Sequence, residues 1–327
     1  MWFRRFIFTC GILFSGLTGL TVSGAEIRLS FIEHESVLTD TCQLLKAKGF
    51  AADSVAKFAR LVRYHNQPGN RVDRSKFPPQ QNGYYHFDSF KDLTNRTTCG
   101  FSETPGSDVL PEHTLMCFDV ASLLLKGLGH DAPHVADGFL EKGFLALAKN
   151  GRVAPMALET FHAATGVLSP TNGYETLVGA PRSDAETRIG LSLRTKRRLP
   201  AGCTDSDKDL RAICADRIRA MERDGFRFPR NCQLGLGLVV NTKRGYVWGD
   251  HSFICIKRRG RFICLEKNGP KGPYVRVEFK TEQDMADYMG WDLLLDVSNP
   301  ETAEAGSVVL VSLNERLLGI YRPPIKP

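Results

Sequence analysis

The spacing of apolar residues changes from helical to strand-like at about Gln233, and this change limits the fold class. Before it, apolar residues recur every three or four positions. After it they alternate with other residues, in runs at 234–240, 246–248, 253–255, 262–264, 275–279, 309–311 and 318–320. Helices followed by strands are typical of an α+β protein, so we predict a C-terminal antiparallel sheet at 233–320 with a helix at 281–289 inserted.

One helix in the first half of the chain is apolar on nearly every side. It covers 114–128, with Thr114 as the expected N-cap and Gly127 or Gly129 as the stop. A helix without a polar face belongs in the interior of a protein. We therefore expect this helix to lie at the centre of the core.

The N-terminal segment, 26–110, is predicted to consist of helices and loops. Residues 26–66 have helical spacing, and Asp53 or Ser54 is the expected cap of a helix there. The stretch 67–111 is rich in Pro, Gly, Asn and aromatic residues, which favours ordered loops and short strands. No clean boundary separates this segment from an α+β domain at 111–327.

Residues 130–230 are predicted to form a helical insertion in that domain. A charged helix is expected at 205–223, and the basic run at 194–198 is expected to be a solvated helix end. Cys203 and Cys214 lie close to the start of the charged helix. They are the candidates for a local disulfide.

The first 25 residues have the three parts of a secretory signal peptide. A short basic start, with Arg4 and Arg5, precedes a run without charge from Phe6 to Ala25, and small residues stand before Glu26. We expect export to the periplasm or the extracellular space, with cleavage after Ala25. A retained membrane anchor is the alternative, although the Gly, Ser and Thr residues of the run weaken it. No later segment is apolar enough to span a membrane.

Charge and cysteine content exclude several functional classes. The formal charge of +7 falls to +5 without the two leader arginines, and basic and acidic residues are interleaved, so no nucleic-acid surface is indicated.

Eight of the nine cysteines follow the leader, without the spacing of a zinc site. Gly235 and Gly237 lack the third glycine and helix of a phosphate loop. We expect neither metal nor cofactor, and the oligomeric state stays open.

Cys117 is the first candidate for chemistry, because it stands in the first turn of the apolar helix. The unpaired N–H groups and the helix dipole favour a thiolate there, and the same N–H groups can stabilise an oxyanion. A buried core thiol or one half of a disulfide is the ordinary alternative. If Cys117 is a free thiol, seven cysteines remain after the leader, so at least one more must be unpaired.

His251 is the candidate base. The segment 250–269 is predicted to form a hairpin with a tight turn at Arg259-Gly260. This turn sets the pairing of the two strands, in which Asn268 lies opposite His251. Glu266 then lies diagonal to His251 on the same face of the sheet. Either side chain can orient the imidazole toward a thiol. His113, close to Cys117 in the sequence, is the rival base.

The same register pairs Cys255 with Cys264 across the hairpin. The two thiols would form a non-hydrogen-bonded cross-strand pair, the closer kind. A disulfide and two buried thiols both remain open, and we favour buried thiols.

Two segments of the chain resemble the papain-like fold of the NlpC/P60 kind. They are Met116-Cys117-Phe118-Asp119, at a helix start, and Gly249-Asp250-His251, which opens a hairpin. These are secreted cysteine peptidases or amidases that act on bacterial wall peptides. The resemblance covers the helix at 114–128 and the sheet at 233–320. It implies the order of cysteine, histidine and a polar third residue, here Glu266 or Asn268, where the family commonly has an imidazole. The separation of 134 residues between Cys117 and His251 exceeds that of compact members.

The expected reaction is attack of the Cys117 thiolate on an amide carbonyl, with His251 as base, in a peptide or wall-peptide substrate. A transglutaminase-like acyltransferase would use the same site with an amine as acceptor. A non-catalytic exported module that binds envelope polymer or protein is the alternative outside enzymes.

Overall fold

The structure, a computed structural model, describes residues 27–32, 34–65, 77–88, 117–130, 197–267, 274–297 and 306–323. The predicted leader, Thr114, His113, Asn268 and most of the predicted insertion lie outside these ranges. The described part is α+β, with one nine-stranded antiparallel sheet and five helices.

All strand pairings in the sheet are antiparallel. Its order is β2-β1-β7-β6-β5-β4-β8-β9, and β3 pairs with β5 beside this path. The strands are β1 (Ile27–Ser30), β2 (Tyr85–Phe87), β3 (Arg197–Arg198), β4 (Gln233–Asn241), β5 (Tyr246–Arg258), β6 (Arg261–Lys267), β7 (Tyr274–Phe279), β8 (Val308–Leu313) and β9 (Arg316–Tyr321).

The helices cover both faces of the sheet. They are α1 (Glu35–Ala47), α2 (Ala52–His65), α3 (Cys117–Gly127), α4 (Asp207–Arg223) and α5 (Glu282–Val297). Buried residues of α1 to α4 share one hydrophobic cluster with one set of strand side chains, and those of α5 share a second cluster with another set. Over the described parts of the chain, no helix combines the length and apolar character needed to cross a membrane.

The predicted core helix is confirmed as α3. Val120, Leu124 and Leu125 are buried at its centre. The helix ends at Gly127, whose carbonyl accepts a hydrogen bond from the Ala51 N–H at 2.7 Å. A side chain at Gly127 would collide with α2, since its Cβ would lie 2.7 Å from that of Ser54.

Three local predictions are wrong. Residues 27–30, expected to be helical, form β1, because a four-residue strand is too short to show a period. The helix α2 begins at Ala52, so neither Asp53 nor Ser54 is its cap. The basic residues 197–198 form β3 against β5 rather than a helix end.

The inserted helix is longer than predicted. It continues through Gly290 to Val297 instead of ending at 289. Glycine at 290 makes room for a neighbouring ring, because a Cβ there would lie 2.1 Å from Cδ2 of Tyr321. This glycine is therefore a packing residue and not a stop signal.

Candidate active site

Cys117 is the first residue of α3 and is a free thiol, 3% exposed. Its Sγ lies 3.8 Å from the backbone carbonyl oxygen of Asp250, within reach of a weak S–H···O hydrogen bond. The first turn of α3 is thereby held against the middle of β5. This contact joins residues 133 positions apart in the chain and places the predicted nucleophile against the residue that precedes the predicted base.

A β-bulge at Asp250 determines where the following histidine points. The register between β4 and β5 shifts by one residue between Gly237 and Leu238, so Asp250 has no partner on β4. One extra residue turns the next side chains to the opposite face of a sheet. His251 consequently lies on the face of Phe253, and their rings stack with centroids 6.3 Å apart.

Glu266, one of the two residues that the hairpin register allows to orient His251, is hydrogen-bonded to it. The turn residues Arg259 and Gly260 have φ of 49° and 76°, and Cys255 pairs with Cys264. The Nε2 atom of His251 donates to Oε2 of Glu266 at 2.7 Å. The two side chains are only 6% and 1% exposed, so water does not weaken this interaction.

The electrostatics of the site favour a charged imidazole. Burial opposes the charged form, but the charge and hydrogen bond of Cys117, together with Glu266, outweigh it and raise the pKa of His251 well above its usual value. Nε2 of the ring binds Glu266. In general, an imidazolium close to a thiol favours the thiolate form of that thiol.

Tyr288 extends the site by one residue that the sequence did not reveal. Its hydroxyl, on α5, donates to Oε1 of Glu266 at 3.3 Å, and the side chain is fully buried. Burial and the charge of Glu266 raise the pKa of Tyr288, so the phenol keeps its proton. The helical pattern at 281–289 located α5, but no local signal showed which of its residues meets the site.

The predicted disulfide between Cys203 and Cys214 is not formed, since both are free thiols. Cys203 precedes Ser206, the N-cap of α4, and its Sγ lies 3.7 Å from the carbonyl oxygen of Thr204. Cys214 lies two turns into α4 on the buried face, where burial raises its pKa to about 11. Cys203 thus lies before the helix, half-buried, and Cys214 lies on the buried face of the helix.

Cys255 and Cys264 are free and fully buried, which confirms the favoured reading. Burial and a hydrogen bond that Cys264 donates to Cys255 raise the pKa of Cys264 well above the usual value. Cys232 borders the same pair, and burial raises its pKa to about 12. The Cys264 and Cys232 thiols are therefore poor nucleophiles, in contrast to a thiol with an imidazolium partner.

A cavity of about 1110 Å³ lies at the far end of β5, lined by Lys48, Cys232 and Lys257 among others. It does not border Cys117 or His251. Within the described ranges, no group of three or more His, Cys, Asp or Glu side chains is arranged to hold a metal ion. The predicted third residue Asn268 lies outside the described residues, so Glu266 is the orienting group that can be described.

A scan against protein-family models finds no match for this chain, and searches of curated proteins and of solved structures find none either.

Proposed function

We propose that this protein is a cysteine hydrolase that cleaves amide bonds, with Cys117 as nucleophile and His251 as general base. The observation that carries the proposal is the buried hydrogen bond between Nε2 of His251 and Glu266 at 2.7 Å, one residue along β5 from the carbonyl oxygen that Cys117 contacts. A carboxylate that holds an imidazole close to a thiol is the arrangement found around activated thiol nucleophiles.

In the proposed reaction the thiolate sulfur attacks the amide carbonyl carbon. The carbonyl oxygen takes the negative charge, and backbone N–H groups in the first turn of α3 can stabilise it. His251 then gives its proton to the leaving nitrogen, the C–N bond breaks and a thioester forms. His251 next takes a proton from water, whose oxygen attacks the thioester and releases a carboxylic acid and the thiolate.

The proposed substrate is a peptide of the bacterial wall, after export by the N-terminal leader. This rests on the resemblance of the segments around Cys117 and His251 to the papain-like NlpC/P60 kind. A core helix that starts at the cysteine, and a histidine on a strand of an antiparallel sheet, agree with that likeness. Glu266, a carboxylate, stands where the family commonly has an imidazole.

A non-catalytic binding module is the second candidate, and one observation favours it. Cys117 is 3% exposed, whereas a substrate has to reach the sulfur of a nucleophile. The two candidates differ in the reactivity of this thiol. A catalytic Cys117 is labelled by an acyl probe, and a structural Cys117 is not.

The experiment compares Cys117→Ala and His251→Gln with the parent protein in turnover of an amide-linked peptide. Both variants should lose turnover while their circular dichroism stays unchanged, and Cys214→Ala, which removes a buried thiol elsewhere, should keep it. Turnover in either site variant would contradict the proposal. Adding an amine separates the two enzymes, since an acyltransferase forms an amine adduct and a hydrolase forms the acid.

A further inference from the structure

A second cavity lies between β3, the N-terminal part of β5 and α4. Its volume is about 380 Å³, and Val247 on β5 and Ile213 on α4 form part of its wall. Its charged lining residues are four arginines and two aspartates, Arg197, Arg198, Arg217, Arg219, Asp209 and Asp216. Positive charge thus predominates around a concave space of ligand size.

Arg217 is the residue that distinguishes this cavity from an ordinary basic surface. It lies on the inner face of α4 and is 3% exposed, although arginine is seldom buried. Burial, together with the positive charge of Arg197, lowers the pKa of Arg217 to about 10. Two guanidinium groups that repel each other at one cavity would both be stabilised by an anion bound there.

The two aspartates of the lining differ in their interactions. Asp209 accepts hydrogen bonds from the backbone and the hydroxyl of Thr204, at 2.9 and 2.6 Å. Asp216 lies 3.8 Å from Arg219, with both side chains more than half exposed, and its charge also acts on Arg217. The attraction of Asp216 is smaller than the effect of burial, since the pKa of Arg217 is still lowered.

The chemistry of the ligand follows from the guanidinium groups. A planar guanidinium donates two parallel hydrogen bonds to an oxyanion, and this favours carboxylate or phosphate over other groups. The position is suitable for a substrate subsite, because Val247 shares a hydrophobic cluster with Cys117 and stands three residues before Asp250, whose carbonyl oxygen Cys117 contacts, or about 10 Å along the strand. An extended peptide of a few residues spans that distance.

We propose that this cavity binds a carboxylate of the substrate, so that the proposed hydrolase acts on acidic peptides. The inference rests on the proposed function for its substrate role, but anion binding by the cavity can be tested alone. Arg217 forms the floor of the subsite and Arg197 part of its rim.

Binding is measured by calorimetry with the α-amide of N-acetylglutamate, its neutral glutamine counterpart and inorganic phosphate. The glutamate compound should bind, and the glutamine compound should not. Arg197→Ala, at an exposed position, should weaken binding about tenfold, the loss of one charge-assisted hydrogen bond. Arg217→Met should weaken it further, while Arg211→Ala, an exposed arginine of α4 outside the cavity, should have no effect.

Equal binding by Arg197→Ala and the parent protein, or equal weakening by Arg211→Ala, would overturn the site. Binding of phosphate without binding of the glutamate compound would overturn the assignment to a peptide carboxylate.

The kinetic arm compares a peptide substrate that carries glutamate with one that carries glutamine. Arg197→Ala should raise KM about tenfold for the acidic substrate and leave kcat and the neutral substrate unchanged. Cys117→Ala should retain binding of the glutamate compound, so a protein that binds it without any turnover would refute the hydrolase and not the anion site. An equal change of KM for both substrates would refute the subsite.

Discussion

Replacing Glu266 by glutamine tests the electrostatic part of the site with little change of shape. The amide side chain would retain an oxygen that accepts from Nε2 of His251, but without the negative charge. The interaction that loses its negative charge is a buried, 2.7 Å hydrogen bond between charged groups. Such bonds contribute about 1.5–3 kcal/mol, which corresponds to a loss of about ten- to hundredfold in the rate of a reaction that needs the imidazolium.

The assay is the rate of alkylation of Cys117 by iodoacetamide between pH 5 and 10, read by mass spectrometry of the peptide that contains it. Glu266 is one of the groups that raise the pKa of His251, so the imidazolium of the variant should lose its proton at lower pH than that of the parent protein, and the pH profile of alkylation should shift with it. Glu278→Gln, a buried carboxylate on β7 that pairs with Arg276, is the matched control. Identical profiles for the parent protein and Glu266→Gln would refute the reasoning.

The raised pKa of His251 also makes the stability of the folded protein depend on pH. A histidine whose folded pKa is raised contributes stability that is fully present below its unfolded pKa, about 6.5, and is lost as the pH rises through the folded value. The midpoint of urea unfolding should therefore fall from pH 6 toward alkaline pH more steeply in the parent protein than in Glu266→Gln.

Three further substitutions have expected outcomes. Tyr288→Phe should lower the alkylation rate of Cys117 by about three- to tenfold, less than loss of the carboxylate, because one neutral donor is removed. Gly235→Ala should destabilise the protein by about 3 kcal/mol in urea unfolding, at the upper end for overpacking, since its Cβ would lie 1.9 Å from Cζ of Phe253. Asp40→Asn should lower the unfolding free energy by about 1–2 kcal/mol, a value reduced for partial exposure of the carboxylate, because Asp40 accepts at 2.8 Å from Arg276. An unchanged value in any of the three would contradict its packing or pairing argument.

The hairpin was predictable because its determinants are local. A turn at Arg259-Gly260 fixes the register, and the two-residue period of a strand then assigns Glu266 and His251 to one face. The apolar pattern likewise identified α3 and placed Cys117 in its first turn. Both halves of the site could therefore be named from the sequence.

The remaining features depend on contacts between distant segments. The bulge at Asp250 exists only in the pairing of β5 with β4, and Gly237, opposite His251, is covered by Leu293 of α5. Tyr288 reaches Glu266 because α5 packs on that face of the sheet. The predicted disulfide between Cys203 and Cys214 was wrong for a similar reason. Their closeness in the sequence did not show in which direction each side chain points.

The most direct test of the central claim is the mapping of a thioester. The parent protein is incubated with an activated acyl donor, quenched in acid and digested. The mass of each cysteine-containing peptide is then measured by mass spectrometry. The proposed site predicts an acyl group on Cys117 that is absent in His251→Gln. Acylation spread over Cys42 and Cys203, the less buried thiols of the described chain, or acylation of Cys117 that does not depend on His251, would contradict the proposed mechanism.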